Sequence, residues 1–286
     1  MSRVNYQVSP DVMITSIYQS LTKSEQKVAD VVQNQLKEAV YWSVSDLAEH
    51  AEVGETTVIR FCRKLGYKGY QDFKLAVAQH GTETNKQEYG EVHESDSVFV
   101  LSQKVTAENS QTLQNTLSLV NPLVMEEAAQ QIIRANKLYT FGVGASGVIA
   151  QLTQYSFMRL GFHAETASDS HVIAMNCALA KPGDVVIGIS TSGSTKDLVD
   201  AIEIAKANGA YIICITNHIK SPITKFGDVV LLTSAKESPL HGGAFSSLIS
   251  QMHVLDMITR YIELQRKEKS REALQKTAQA VSDKLY

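Results

Sequence analysis

Lys137-Leu-Tyr-Thr-Phe-Gly-Val-Gly-Ala-Ser-Gly147 is the stretch on which the fold turns. Its first five residues predict a strand, the glycines and the serine a tight turn, and the apolar spacing over about 146–160 a helix. A second stretch repeats the order. Asp184-Val-Val-Ile-Gly-Ile189 predicts a strand, Ser190-Thr-Ser-Gly-Ser-Thr195 a hydroxyl-rich turn, and a helix follows over 195–208. In an open parallel sheet, ligands sit beyond the C-terminal strand ends, where helix N-termini present N–H groups and partial positive charge. Glycine lets the backbone approach an anion closely, and Ser146, Ser190, Ser192 and Thr195 add hydroxyl donors of little bulk. The two loops therefore predict one anion pocket.

Around these stretches the pattern keeps alternating. Helices are expected at about 100–119, 123–135 and 169–179, with a strand near 163–166. A strand at 210–215, a short helix near 221–226 and a strand at 228–232 follow. Strands separated by helices of ten or more residues imply an α/β domain whose central parallel sheet is covered on both faces, a doubly wound arrangement. A long amphipathic helix (244–265) and a charged one (about 270–285) end it. Upstream, 24–80 reads as consecutive short helices, the first burying Val28, Val31 and Val32. From 81 to 97 the chain turns polar and acidic, with Glu83, Glu88, Glu91, Glu94 and Asp96, as a solvated linker does. The expected organisation is an all-α domain at 1–80, a linker at 81–99 and the α/β domain at 100–286.

Size and composition bound the function. The 286 residues allow two domains, and 44% hydrophobic with 20% charged residues describes an ordinary soluble protein. Apolar runs such as Tyr211-Ile-Ile-Cys-Ile215 are too short to cross a bilayer, and the first residues lack the basic-then-apolar order of an export signal. A cytoplasmic protein with no membrane partner is expected. Cys62, Cys177 and Cys214 have neither disulfide-framework nor zinc spacing, so no metal is expected, nor a cofactor. A net charge of −3 argues against indiscriminate coating of nucleic acid. Local recognition is another matter, because Arg60, Arg63, Lys64, Lys68 and Lys74 face only Asp72 within one short span.

That span lies in a helix-turn-helix pattern. Ser45-Asp-Leu-Ala-Glu-His-Ala51 begins with a capping serine and buries Leu47, Ala48 and Ala51, and Glu52-Val-Gly54 makes the turn. The next helix offers Val58, Phe61, Cys62 and Leu65 to the core, turns Thr56, Thr57, Arg60, Arg63 and Lys64 outward, and stops at Gly66. A reader of duplex DNA needs short polar groups near the helix N-terminus for base edges and cations for the flanking phosphates. Ser45, Glu55, Thr56, Thr57, Arg60, Arg63, Lys64 and Lys68 are the candidates. A solvated basic helix in a small bundle is the bland alternative.

The stretch Glu55-Thr-Thr-Val-Ile-Arg-Phe-Cys-Arg-Lys-Leu-Gly-Tyr-Lys-Gly-Tyr-Gln-Asp-Phe-Lys74 resembles the recognition-helix signature of the RpiR family of bacterial transcriptional regulators. Leu21-Thr-Lys-Ser-Glu-Gln-Lys-Val-Ala-Asp30 is similar to that family's opening helix. Gly54 departs from the serine N-cap common there, a change that costs only a few tenths of a kcal/mol. The resemblance implies a C-terminal sugar isomerase (SIS) domain that senses rather than catalyses. Ser190-Thr-Ser-Gly-Ser-Thr195 resembles that domain's phosphosugar signature, and Ser146 falls on its other phosphate-binding serine. Implied partners are operator DNA, a phosphorylated sugar and a second copy in a homodimer or homotetramer. The implied role is regulation of sugar catabolism, by repression more often than activation. The ligand set is Gly144, Ser146, Ser190, Thr191, Ser192, Thr195, His171 and Glu237.

Three other readings of the pocket stay open at this point. Gly142-x-Gly144-x-x-Gly147 satisfies a dinucleotide fingerprint, with Glu165 about 20 residues on as the ribose acid. A nucleophilic serine is disfavoured, because neither loop carries a GxSxG elbow. Aldose–ketose isomerisation needs a proton-moving base, for which His171, Glu237 and His241 are candidates, though each can instead hydrogen-bond sugar hydroxyls, His171 before His241.

Overall fold

Five short strands pair in parallel in a computed structural model that describes residues 9–39, 42–81, 92–235 and 244–284. They are β1 (Leu138–Gly142), β2 (Ala164–Ala167), β3 (Val185–Ile189), β4 (Tyr211–Thr216) and β5 (Val229–Leu232), in the order β2-β1-β3-β4-β5. Every residue of β1 and β3 is buried, as continuous apolar strands must be when helices cover both faces. Register is in step, with Leu138 opposite Val185 and Gly142 opposite Ile189. The two Gly/Ser loops therefore leave the sheet at one level.

Alternation along the strands sorts the helices into two layers. Leu138, Ile187, Ile213 and Leu231 face one core with Ile132 of α8 (Pro122–Arg134), Ile149 and Phe157 of α9 (Ala145–Arg159), and Val254 and Ile258 of α12 (Ala244–Gln265). Tyr139, Phe141, Val186 and Ile212 face the other core with Ile173 of α10 (Ser170–Leu179) and Leu198 and Ile202 of α11 (Lys196–Ala207). Gly188 lacks a side chain where the Ile202 and Ile223 methyls close in; a Cβ there would stand 3.1 Å from each. The final helix, α13 (Lys267–Gln279), starts a few residues earlier than the charge pattern predicts.

This α/β unit spans Val120–Tyr286, and the second compact unit spans Met1–Leu119. The latter holds α1 (Pro10–Ile17), α2 (Lys23–Asn34), α3 (Leu36–Ala39), α4 (Val44–His50), α5 (Glu55–Lys64), α6 (Tyr70–Gly81) and α7 (Val98–Leu119). Its core joins Ile14, Val28, Val32, Leu47, Val58, Phe61, Leu65 and Phe73. Phe73 meets Phe61 and Tyr67 edge to face. Burial pushes the Cys62, Cys177 and Cys214 thiols up to about 12, which makes them inert packing groups. Among the described residues no helix is long and apolar enough to cross a membrane.

Candidate functional site

Strand order reverses between β1 and β3: α9 leaves toward one face and α11 toward the other. This is a topological switch point, and open α/β sheets hold ligands beyond the C-terminal strand ends at such a place. Both Gly/Ser loops border it. Gly144 caps α9 at φ +62°, and a Cβ on Gly142 would lie 2.5 Å from the Ser146 carbonyl oxygen. Glycine is thus required for the first turn. In the second loop Gly193 also sits at φ +62°, and a Cβ there would collide with the Ser221 hydroxyl.

The hydroxyls share one hydrogen-bonding logic. Ser190 Oγ accepts from the Gly193 N–H at 3.1 Å, and Ser192 Oγ from the Ser194 N–H at 3.2 Å. Ser146 Oγ and Thr191 Oγ1 accept from one side-chain amide, Gln251 Nε2, at 3.2 and 2.9 Å. Thr195, the N-cap residue of α11, leaves its own helix uncapped by its side chain and places its Oγ1 3.2 Å from Ser190 Oγ. A hydroxyl carries one proton and two lone pairs. With a lone pair of Ser146, Thr191 and Ser192 engaged by an N–H, their O–H protons are left to donate, and Ser190 and Thr195, which share one bond, keep one proton between them to give. Ser146 and Ser190 are buried at 8% and 3% exposure, so what they donate to is largely desolvated. Such an arrangement can hold an anion by neutral donors, with no cationic side chain among the described residues of the two loops.

Gln251 links the two loops, and the sequence pattern did not mark it. It stands on α12, is fully buried, and joins loops 60 and 105 residues away. The one sequence signal is local: Ser246, Ser247, Ser250 and Gln251 are buried polar residues in a helix that otherwise presents an apolar face.

The other pocket candidates divide. His171 lies in the first turn of α10, exposed, after the edge strand β2 whose end shares the level of the loops. Its neighbour Ser168 touches the first loop, since a Cβ on Gly147 would lie 3.1 Å from Ser168 Cβ. Glu165, the acid of the dinucleotide reading, instead pairs with Lys137 at 2.8 Å. Lys137 immediately precedes β1, so this carboxylate is tied toward the opposite end of the sheet from Gly142. Glu237 and His241 lie outside the described residues.

In the helical unit, α4 and α5 form the expected pair. The N-cap of α4 is Ser43, not Ser45: Ser43 Oγ accepts from the Asp46 N–H while Asp46 Oδ2 accepts from the Ser43 N–H, a reciprocal box. Ser45 sits inside the first turn, exposed, with its hydroxyl donating to Glu55 at the start of α5. Thr56, Arg60, Arg63 and Lys68 are exposed. Thr57 is not, because it stands one turn before Phe61 on the packed side, 9% exposed. Lys64 is also turned from solvent: its ammonium bonds Glu25 Oε2 at 2.8 Å and the Ser20 carbonyl at 3.0 Å. Lys74 donates to the Trp42 carbonyl at 2.6 Å. Two of the five local cations are thus committed to the fold. Burial alone would raise the Glu25 carboxyl, but the Lys64 bond and the Thr22 N–H and hydroxyl outweigh it and hold it below the usual range.

Residues 11–83 match the helix-turn-helix domain of the rpiR family, and 131–260 match the SIS domain. An HTH-type transcriptional regulator of Haemophilus influenzae is 34% identical over 272 residues, 94% of each chain. The chain belongs to the RpiR family of helix-turn-helix transcriptional regulators. Escherichia coli RpiR is 31% identical over 214 residues, 75% of this chain and 72% of that one. Vibrio vulnificus NanR, solved in complex with ManNAc-6P, superposes with a TM-score of 0.63 at 25% identity, covering 96% of this chain and 99% of its own. As a member of this family the chain is a DNA-binding transcriptional regulator.

Proposed function

We propose that this regulator is a repressor of sugar-catabolism genes whose hold on operator DNA is set by a phosphorylated sugar bound between the two Gly/Ser loops. The observation that carries the proposal is the hydroxyl arrangement: Ser146, Thr191 and Ser192 each accept an N–H and keep a proton to give, and the bonded Ser190–Thr195 pair keeps one more. A phosphate ester needs just such donors. The NanR complex with ManNAc-6P supports the ligand class. The engagement of Glu165 by Lys137 weighs against a dinucleotide.

On this reading the cradle is Gly144, Ser146, Ser190, Thr191, Ser192 and Thr195, with His171 and Glu237 at the sugar. The DNA set narrows to Ser45, Glu55, Thr56, Arg60, Arg63 and Lys68, since Thr57 and Lys64 are committed to packing. The pocket binds without turnover, and the protein works in the cytoplasm as a homodimer or homotetramer. Exposed Val148, Leu152 and Tyr155 on α9, with Val172, Met175 and Leu179 on α10, support self-association, because they recur at helical spacing and leave large apolar groups in water.

Operator titration with and without a panel of sugar phosphates, ManNAc-6P included, tests the reading. One member should change operator affinity by about 5- to 150-fold and emerge chemically unchanged in the NMR spectrum of the sugar. A response to NADH alone, or sustained conversion of the sugar, would replace it with the dinucleotide or the isomerase reading.

A further inference from the structure

Gln251 does more than fill space between the loops, and this inference rests on the phosphosugar reading above. A primary amide has two N–H donors and one carbonyl acceptor. In Gln251 the donor end meets Ser146 Oγ and Thr191 Oγ1, one from each loop, while Oε1 is buried with no hydrogen-bond partner among the described residues. A fully buried side chain held with its acceptor unsatisfied is costly unless the opposite orientation is worse or the arrangement serves something else. The opposite orientation would aim Oε1 at both hydroxyls. Ser146 and Thr191 would then have to donate to it, turning their protons away from an incoming anion and presenting lone pairs instead.

We propose that Gln251 is a positioning residue: by donating to Ser146 and Thr191 together, it forces both hydroxyl protons toward the anion and sets the spacing of the two loops. The chain of donors runs from amide to hydroxyl to phosphate oxygen, and each bond polarises the next. Because Gln251 is rigidly held on α12, the same bonds make that helix the element that registers whether the cradle is filled.

Isosteric substitutions separate this role from packing. Gln251→Glu replaces the donor end with an acceptor and adds a charge; Gln251→Met keeps the length with neither donor. Inorganic phosphate and ManNAc-6P are titrated into the full-length parent and both variants by calorimetry, with thermal melts as the check on folding. The expected order of affinity is parent, then Met about tenfold weaker, then Glu weaker by about a hundredfold or more, whatever the order of melting temperatures. A parent that binds while both variants bind within twofold of it overturns this inference alone. A parent that binds neither probe overturns the phosphosugar reading and the inference with it. Should either variant fail to fold, the parent alone decides: saturating phosphate should shift the side-chain amide signals of Gln251 in a ¹⁵N-resolved spectrum. Signals that stay fixed while phosphate binds overturn the proposal.

Discussion

At the scale of single residues, the contacts that matter most run between groups far apart in the chain. Helical spacing places Lys64 on an outer face of α5, yet its four-carbon stem carries the ammonium back to Glu25 on α2. Spacing fixes where a Cβ points, and a long flexible side chain can leave that direction. Gln251 was illegible for the same reason, whereas Ser146 and Ser190 were readable because a serine in a Gly-rich turn after a strand has a known use. Lys64→Ala should accordingly act on stability, leaving a Glu25 that is 5% exposed without its cation, at a cost of about 2 kcal/mol. Trp42 is the single tryptophan of the chain and lies in the helical unit, so its fluorescence in urea reports that unit selectively. Operator binding should keep its salt slope in Lys64→Ala and lose about one unit of slope in exposed Arg63→Ala. Equal salt effects in the two variants would return Lys64 to the DNA face. The depressed Glu25 carboxyl adds a pH signature. Its stabilisation is complete above the ordinary carboxylate range and is lost as pH falls through its lower folded value. The Trp42-reported midpoint should therefore drop on acidification below about pH 5, and drop less in Glu25→Gln.

Elements were more legible than their junctions. The strands and helices of the α/β unit stand where the alternating pattern predicts them, because β3 and most of β4, buried on both faces, are nearly continuous apolar runs between helices. The helix at Pro10–Ile17 was not anticipated, since eight residues offer barely two turns of periodicity and its stabilisation comes from tertiary burial of Ile14 and Ile17. The cap of α4 was misplaced by two residues for a related reason: in Ser43-Val-Ser45 either serine suits an N-cap, and the reciprocal bond from Asp46 selects the first. The turn that follows holds a conformational strain that sequence does not announce. Glu52 has φ +51°, and its N–H and that of Val53 bond back to Glu49 and Ala48 in a C-terminal helix cap. Left-handed backbone costs a residue with a Cβ about 1 to 2 kcal/mol. Against this stand the exposed Lys27–Glu52 pair at 3.1 Å, worth at most about 1 kcal/mol, and the greater unfolded entropy of glycine. Glu52→Gly should raise the urea midpoint read from Trp42 by the equivalent of about 0.5 kcal/mol. A midpoint lowered by as much would mean that the ion pair outweighs the strain.

At the scale of the whole molecule, function depends on linkage between a pocket and a DNA-reading helix that belong to different units of the chain. An effector shifts operator affinity only by its differential affinity for the two functional states, and DNA must change effector affinity by the same factor. Ser192→Ala tests this with little disturbance of the loop, since its Oγ accepts only the local Ser194 N–H among the bonds described, whereas Ser190 also holds Gly193. Removing a hydroxyl donor to a charged acceptor costs about 1.5 to 3 kcal/mol, a ten- to hundredfold loss of sugar-phosphate affinity. Operator affinity without effector should stay at the parent value, while the effector concentration for half-maximal response rises by that same factor. The proposed self-association would set a second requirement, because an operator of two half-sites needs two reading helices at fixed spacing. Charging the exposed apolar groups of α9 and α10 with Leu152→Glu and Met175→Glu should lower the assembly mass seen by light scattering and weaken operator binding, yet leave sugar-phosphate affinity intact, since both side chains are exposed and neither belongs to the two loops. If the double variant keeps the parent mass, the copies meet through another surface. If it becomes monomeric and also loses sugar phosphate, the cradle needs the partner copy to be complete, and the boundaries of the site must be redrawn to include it.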